Sequence, residues 1–378
     1  MTADKTMRCD MKKIAVIGAN DFQNQLILKA GSLGYETHVF AWQCGDVGEK
    51  TADHFYPISI VEKDEILKEC QKIGIDGICS IASDLATLTV NYVAEKMGLC
   101  GNSMRCTEIS TNKYLMRKAF EEHGVPVPKF TVCDETTDLS AIDMAYPCIV
   151  KPTDRSGSRA ITKVTAKEQL SEAVAAAVEQ SFEKKAVIEE FIEGNEYSCE
   201  CITQNGVHHF LAITKKFTTG APHFIETGHR QPSDIPENMT DSIVSQIFRA
   251  LDALEIKNSA SHTEFKLDKN GTVRIIEIGA RMGGDCIGSD LVRLSTGYDF
   301  VKMVIDTACG DPIDFAIGEH YSEASIHFIF DKNDMEDLEK LRRESPDSIY
   351  RISEIDEARF GKASDSSSRA GYYITVKK

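Results

Sequence analysis

The first hundred residues alternate short apolar runs with amphipathic ones, and that alternation restricts the fold more than any other feature of the chain. "KIAVIGA" from Lys13, "ETHVFAW" from Glu36, "DGICSIA" from Asp76 and "GLCG" from Gly98 read as strands, separated by helices over about 21–33, 63–73 and 85–97. Strands regularly separated by helices pair in parallel, with helices covering both faces of the sheet. A Rossmann-like opening domain over 11–110 is therefore expected. The turn Gly18-Ala19-Asn20-Asp21 carries one of the three glycines of a G-x-G-x-x-G dinucleotide turn, so it reads better as a plain strand-to-helix turn.

At 378 residues, with 42% hydrophobic and 27% charged side chains, the chain is long enough for two or three packed domains. A formal net charge of −16 argues against a general nucleic-acid or anionic-membrane binder, since both need clustered positive charge. No apolar run approaches the length of a membrane span, and "MTADKTMRCDMKK" lacks the apolar core of a secretory signal, so a cytoplasmic location is expected. Disorder is expected only in the first ten residues. The twelve cysteines are scattered singly except for Cys199-Glu200-Cys201, which reads as two buried thiols on one strand face rather than half of a zinc site.

Past residue 110 the pattern changes. In "STNKYLMRKAFEEHGVPVPKF", Thr111 or Asn112 can cap a helix that Gly124 and Pro126 stop. "YPCIVKPT" then reads as a strand, "DRSGSRAI" as a loop, and "TAKEQLSEAVAAAVEQSF" as a helix. That helix has a Thr165–Glu168 capping box and an apolar face of Leu170, Ala173, Val174, Ala177 and Val178. "EYSCECIT" and "GVHHFLAIT" form a hairpin across Asn205-Gly206, and a helix follows at about 238–255. "ASIHFIF" and "AGYYITVKK" look like strands of a small C-terminal unit.

Asn270-Gly271 sits between two further strand-like runs, "TEFKL" and "TVRIIEI", and reads as a two-residue hairpin turn. That register sets Glu264 opposite Glu277 on one sheet face, with β-carbons about 5 Å apart. Two like charges there repel by roughly 4 kcal/mol at an effective dielectric of 20. Such a pair can share one proton, bind a divalent cation or stand exposed without a role. The isoleucines around Glu277 weigh against exposure and favour metal.

Three other stretches can carry chemistry. Lys151 ends a strand ahead of the Ser156-Gly157-Ser158 loop, whose backbone N–H groups could cradle phosphate, although a plain polar loop fits the sequence as well. The acidic run Glu189, Glu190, Glu193, Glu196 could read a purine or be an ordinary charged edge. Lys215 and Lys216 could reach a phosphate or belong to a charged loop.

The order of these features resembles the ATP-grasp superfamily: lysine-bearing strand, Gly/Ser loop, helix, "EEFIEGNE", basic loop, paired Glu and trailing Arg. "TTGAPHFIETGH", "HTEFKL" and "EIGARMGGD" look like its carboxylate–amine ligase branch, which includes bacterial L-amino acid ligases. The resemblance implies an α/β (α+β) chain: a pre-ATP-grasp domain over 11–110, a small subdomain over 111–185, a large subdomain over 186–310 and a C-terminal extension over 311–378. It implies that Lys113 and Lys151 contact ATP phosphates under the Ser156–Ser158 loop. Glu189, with the backbone of Glu190 and Ile192, would read adenine, and Glu196 would hold the ribose. Lys216 would approach the γ-phosphate, Glu264 and Glu277 would bind Mg2+ or Mn2+, and Arg281 would hold an acyl phosphate. Gly279 stands where many relatives place an Asn ligand. His229, Arg230, Gly283, Gly284 and Asp285 are the candidates for substrate recognition. The implied reaction joins a small-molecule carboxylate to an amine, amino acids in the first instance, with ATP, in a homodimer that engages neither nucleic acid nor membrane. Two other readings stand beside it: an ATP-grasp carboxylase using bicarbonate, and a nucleotide-binding oxidoreductase.

Overall fold

The computed structural model describes residues 11–157, 159–221, 224–268 and 271–378, so the expectations placed on the first ten residues, on Ser158 and on Asn270 lie outside the described residues. The chain opens with β1 (Lys13–Ile17), α1 (Asp21–Ser32), β2 (Glu36–Phe40), α2 (Gly48–Thr51), β3 (His54–Tyr56), α3 (Lys63–Ile73), β4 (Gly77–Cys79) and α4 (Asp84–Met97). The four strands form a parallel sheet in the order β3-β2-β1-β4. The "GLCG" expectation is corrected: Gly98 takes a left-handed φ of 69° and caps α4, and no strand follows it. The fourth strand is instead β3, which an apolar pattern could not reveal because it is only His-Phe-Tyr. Gln23 lies over Gly18 and exchanges hydrogen bonds with the backbone of Ile81, so its side chain fills the first turn.

Two helices, α5 (Met104–Thr111) and α6 (Lys113–Glu122), lead out of this unit. Asn112 caps α6, its side chain accepting from the N–H groups of Tyr114 and Leu115. A second sheet is made of β5 (Phe130–Cys133), β6 (Cys148–Pro152), β7 (Thr162–Val164) and β8 (Ala186–Glu190), in the antiparallel order β5-β8-β6-β7, with α7 (Leu170–Gln180) before β8. The five apolar residues expected on α7 are all buried. Its entry differs from the expected capping box: the Gln169 side chain, not Glu168, accepts from Thr165, because a short 3-10 turn over 167–169 precedes the α-helix.

The third sheet has eight strands. They are β9 (Asn195–Gln204), β10 (Val207–Thr218), β11 (Glu226–Gln231), β12 (Ser259–Leu267), β13 (Val273–Gly279), β14 (Glu323–Ile329), β15 (Ile349–Ile352) and β16 (Gly371–Lys377), in the order β13-β12-β9-β10-β11-β14-β16-β15. Helices α8 (Glu237–Ala253), α9 (Val292–Thr296), α10 (Phe300–Ala308) and α11 (Lys332–Glu344) complete the chain. The C-terminal strands thus extend the large sheet instead of closing one of their own. One apolar cluster runs from β1 through Phe300 and Met303 of α10 to Ile202 and Ala260 of the large sheet, joining the first and last parts of the chain in one core. No helix among the described residues is long and apolar enough to cross a membrane.

The β12–β13 hairpin decides where the carboxylates go. Glu264 does face Glu277, but by a different route from a simple two-residue turn. The ladder closes with Asp268 N–H donating to Thr272 O, and Phe265 pairs with Ile275, one residue short of the expected register. A bulge at Ile276 then restores the Glu264–Glu277 pairing. Its effect on the strand faces is large, because an inserted residue reverses the alternation of side chains. Val273 and Ile275 point into the core beside Ile243 and Ile247, and beyond the bulge it is Ile278 that does so. In a regular strand that kept Ile276 without a bulge, Glu277 would share the core face of Ile275; the bulge keeps it on the other face and returns Ile278 to the core.

Candidate active site

The small sheet and the large sheet face each other across a cleft of about 1040 Å³. Ile149, Ile161, Phe191, Ile192, Phe224 and Ile276 supply its apolar walls, and Lys113, Lys151, Glu196, Glu226, Glu264, Glu277 and Arg281 its charged ones. The bulge places both Ile276 and Glu277 on this side of β13.

At the back of the cleft, Arg117 from α6 donates from Nε to Glu189 Oε1 at 2.7 Å, and Lys151 Nζ stands 2.8 Å from Glu189 Oε2. Arg117 also donates from Nη2 to the bulge carbonyl of Ile276 at 2.6 Å. Burial raises the Glu189 pKa, but the two cations outweigh it and hold the carboxyl at about 2. Glu189, expected in the adenine-reading segment, lines the cleft with its carboxylate paired to Arg117 and Lys151. The Glu190 side chain is exposed, and the Ile192 carbonyl accepts from Lys266 Nζ at 3.2 Å.

The two facing carboxylates are each neutralised by the protein. Lys113 Nζ lies 3.1 Å from Glu277 Oε2 and also donates to the carbonyl of Arg155, in the loop that carries Ser156 and Gly157. Lys216 donates to Glu264 and lies 3.5 Å from Glu196 and 3.8 Å from Glu226. Burial pulls Lys216 down, yet the surrounding carboxylates outweigh it and hold it above its ordinary value. Lys215 projects from the other face, toward Tyr197 and Asp234, so Lys216 is the lysine that meets the carboxylates lining the cleft.

His262 was not expected. Its Nδ1 is 2.6 Å from Glu200 and its Nε2 3.3 Å from Glu264, across the in-register β9–β12 pairing. Burial lowers its pKa, but Glu200 and Glu264 outweigh that and raise it from 6.5 to about 9. The usable signal was the same-face spacing of His262 and Glu264, together with a carboxylate between Cys199 and Cys201. Only knowledge that β9 and β12 are neighbours would connect them.

Arg281 makes a two-pronged ion pair with Asp84 at the start of α4, at 2.8 and 2.9 Å. That pair explains Gly279: a Cβ there would lie 2.9 Å from Arg281 Cζ and 3.0 Å from Asp84 Oδ1, so an Asn ligand has no room. The glycines expected at the substrate site have close neighbours of their own. A Cβ on Gly283 would lie 2.7 Å from His262 Nδ1 and 2.8 Å from Glu200 Oε2, and one on Gly284 would touch Ala82 at 3.4 Å. Gly283 thus makes room for His262 and Glu200, and neither glycine lines the cleft. Asp285 accepts from Arg369 at 2.9 and 2.5 Å, with the buried His229 Nε2 at 3.6 Å. Arg230 lies on the sheet face opposite His229, near Phe217, so the structure does not bring these two expected substrate residues together. Arg369 and Asp84 were unforeseen because they lie far along the chain from the motifs.

Residues 144–290 match the ATP-grasp domain model. The L-amino acid ligase of Bacillus licheniformis superposes with a TM-score of 0.83 at 24% identity, covering 97% of this chain and 93% of that one. The chain therefore contains an ATP-grasp domain and has the ATP-grasp fold. Within that class it resembles carboxylate–amine ligases: it is 28% identical over 304 residues to the alanine–anticapsin ligase of Bacillus subtilis (strain 168), 73% of this chain and 63% of that protein. It is 27% identical over 244 residues to the D-alanine–D-alanine ligase of Thermoanaerobacter sp. (strain X514), 61% of this chain and 64% of that protein. The chain thus spans under two thirds of the length of these relatives.

Two outcomes test the electrostatics. Because the folded pKa of His262 lies above its unfolded value, its contribution is complete below pH 6.5 and is lost as pH rises through about 9. An NMR titration should show His262 titrating near pH 9, and Glu200→Gln should bring that value down. Arg117→Met should cost roughly 3–5 kcal/mol in urea unfolding, since Glu189 would keep only one partner cation in a buried site.

Proposed function

We propose that the chain is an ATP-dependent carboxylate–amine ligase that forms an amide through an acyl phosphate and releases ADP and phosphate. The observation that carries this reading is the convergence, on one cleft with apolar walls, of Lys113 and Lys151 with the facing Glu264 and Glu277, with Lys216 behind them paired to Glu264. Ile149, Ile192 and Ile276 offer the apolar walls that an adenine ring would need, and Glu196 would hold the ribose.

Glu264 and Glu277 fit a hard divalent cation: they offer only oxygen donors, face each other across the ladder and open onto the cleft. They would hold Mg2+, or Mn2+, which when bound supplies charge neutralisation on the phosphate oxygens. The residues of the chain do the rest. Lys113 and Lys151 hold the phosphates in line, and Lys216 faces the γ-phosphate from β10. A carboxylate oxygen of the first substrate attacks the γ-phosphorus and ADP leaves. An amine then attacks the acyl carbon, loses a proton and expels phosphate. No covalent protein nucleophile is needed, because phosphoryl transfer depends on position and charge. Arg281, fixed by Asp84, is placed to hold the acyl phosphate. Amino acids are the proposed carboxylate and amine donors.

Amino acids supplied in pairs with ATP and Mg2+ should raise phosphate release above background and give a product that mass spectrometry identifies as the amide. Stimulation by bicarbonate alone would replace the proposal with a carboxylase. Glu277→Gln should lower turnover by about 10²-fold or more while leaving the circular dichroism spectrum unchanged; near-normal turnover would remove the metal assignment.

A further inference from the structure

A second group of ligating side chains lies on the opening sheet and takes no part in the cleft. Glu36 and His38 are two residues apart on β2 and share a face, and His54 on β3 stands in register with His38. Glu36 Oε1 lies 3.1 Å from His38 Nε2 and 3.0 Å from His54 Nε2, and the two rings stack with centroids 4.7 Å apart. Among the described residues this is the one set of His, Cys, Asp and Glu side chains whose ligand atoms all fall within 4.8 Å of one another.

The hydrogen bonding leaves one ring nitrogen of this group without a partner. His38 is buried, and its Nδ1 lies 3.0 Å from the Tyr56 hydroxyl. Its Nε2 makes no hydrogen bond, although a carboxylate oxygen stands beside it. A buried polar nitrogen without a partner is costly. In the tautomer that donates from Nδ1 to Tyr56, Nε2 presents a lone pair to the Glu36 carboxylate, and a cation between the two relieves their repulsion. Ligand atoms around a tetrahedral zinc, each at about 2.0–2.2 Å, stand roughly 3.3 Å from one another. The distances from Glu36 Oε1 to both ring nitrogens are close to that. A ligating histidine also normally uses its other ring nitrogen in a hydrogen bond, the place Tyr56 takes here.

We infer that Glu36, His38 and His54 form a binding site for one divalent transition-metal cation of the zinc type, with the half-exposed side of His54 leaving a position for water. Such an ion ties the three-residue edge strand β3 to β2 and closes the segment between them.

The test uses the full chain, stripped with a chelator and titrated with Zn2+ against a chromophoric competitor in excess Mg2+. One tight equivalent per chain is expected, and it should persist in Glu277→Gln, which separates it from the cleft. His54→Ala and Glu36→Gln should each weaken it by about 100-fold or more and abolish the zinc-dependent rise in melting temperature. Co2+ should give the visible absorption of a four-coordinate site in the wild type only. Equal zinc affinity in the wild type and both variants, or no equivalent tighter than about millimolar, overturns the inference. Should His54→Ala fail to fold, His54→Gln serves in its place under the same two outcomes.

Discussion

Like charges held opposite each other set the terms for the rest of this structure. Glu264 and Glu277 face one another across a β-ladder, an arrangement that repels by several kcal/mol unless cations are at hand. The chain supplies them from three directions: Lys216 from the next-but-one strand of the same sheet, His262 from the same strand and Lys113 from the start of α6. Each then needs its own support. Lys216 is shared among three carboxylates, and His262 leans on Glu200, which in turn requires Gly283 to have no side chain. The cleft is thus a lattice of alternating charge, partly screened from water, in which each member is fixed by its neighbours.

Much of this was legible in the sequence because it is local. Helix α3 starts and stops where the apolar spacing says, and the Asn205-Gly206 turn closes its hairpin as two left-handed residues, with φ of 54° and 78°. The pairing of Glu264 with Glu277 was also legible, yet for a reason only half right, since the shorter ladder and the Ile276 bulge cancel. A bulge leaves no composition signal, so the reversal of faces it causes is invisible to a period-two reading.

What could not be read was contact between distant segments. Arg117, Asp84, Glu200, His262 and Arg369 each complete a charge whose partner lies on another element, and strand order decides which elements meet. The absent Asn at residue 279 became intelligible for the same reason: the space is taken by Arg281 and its partner Asp84, almost two hundred residues earlier. Sequence motifs located the carboxylates, while the topology determined what stands around them.

The ion pairs of Arg281 and Asp285 have a consequence in time. Asp84 anchors the first and Arg369 the second, so the corner of the cleft beside the proposed acyl phosphate joins segments the ribosome makes at widely separated moments. A nascent chain that already possesses Lys113, Lys151, Lys216 and both facing carboxylates still lacks the guanidinium that fixes Asp285. Order of synthesis therefore delays the finished corner until residue 369 has emerged, after every residue that lines the cleft.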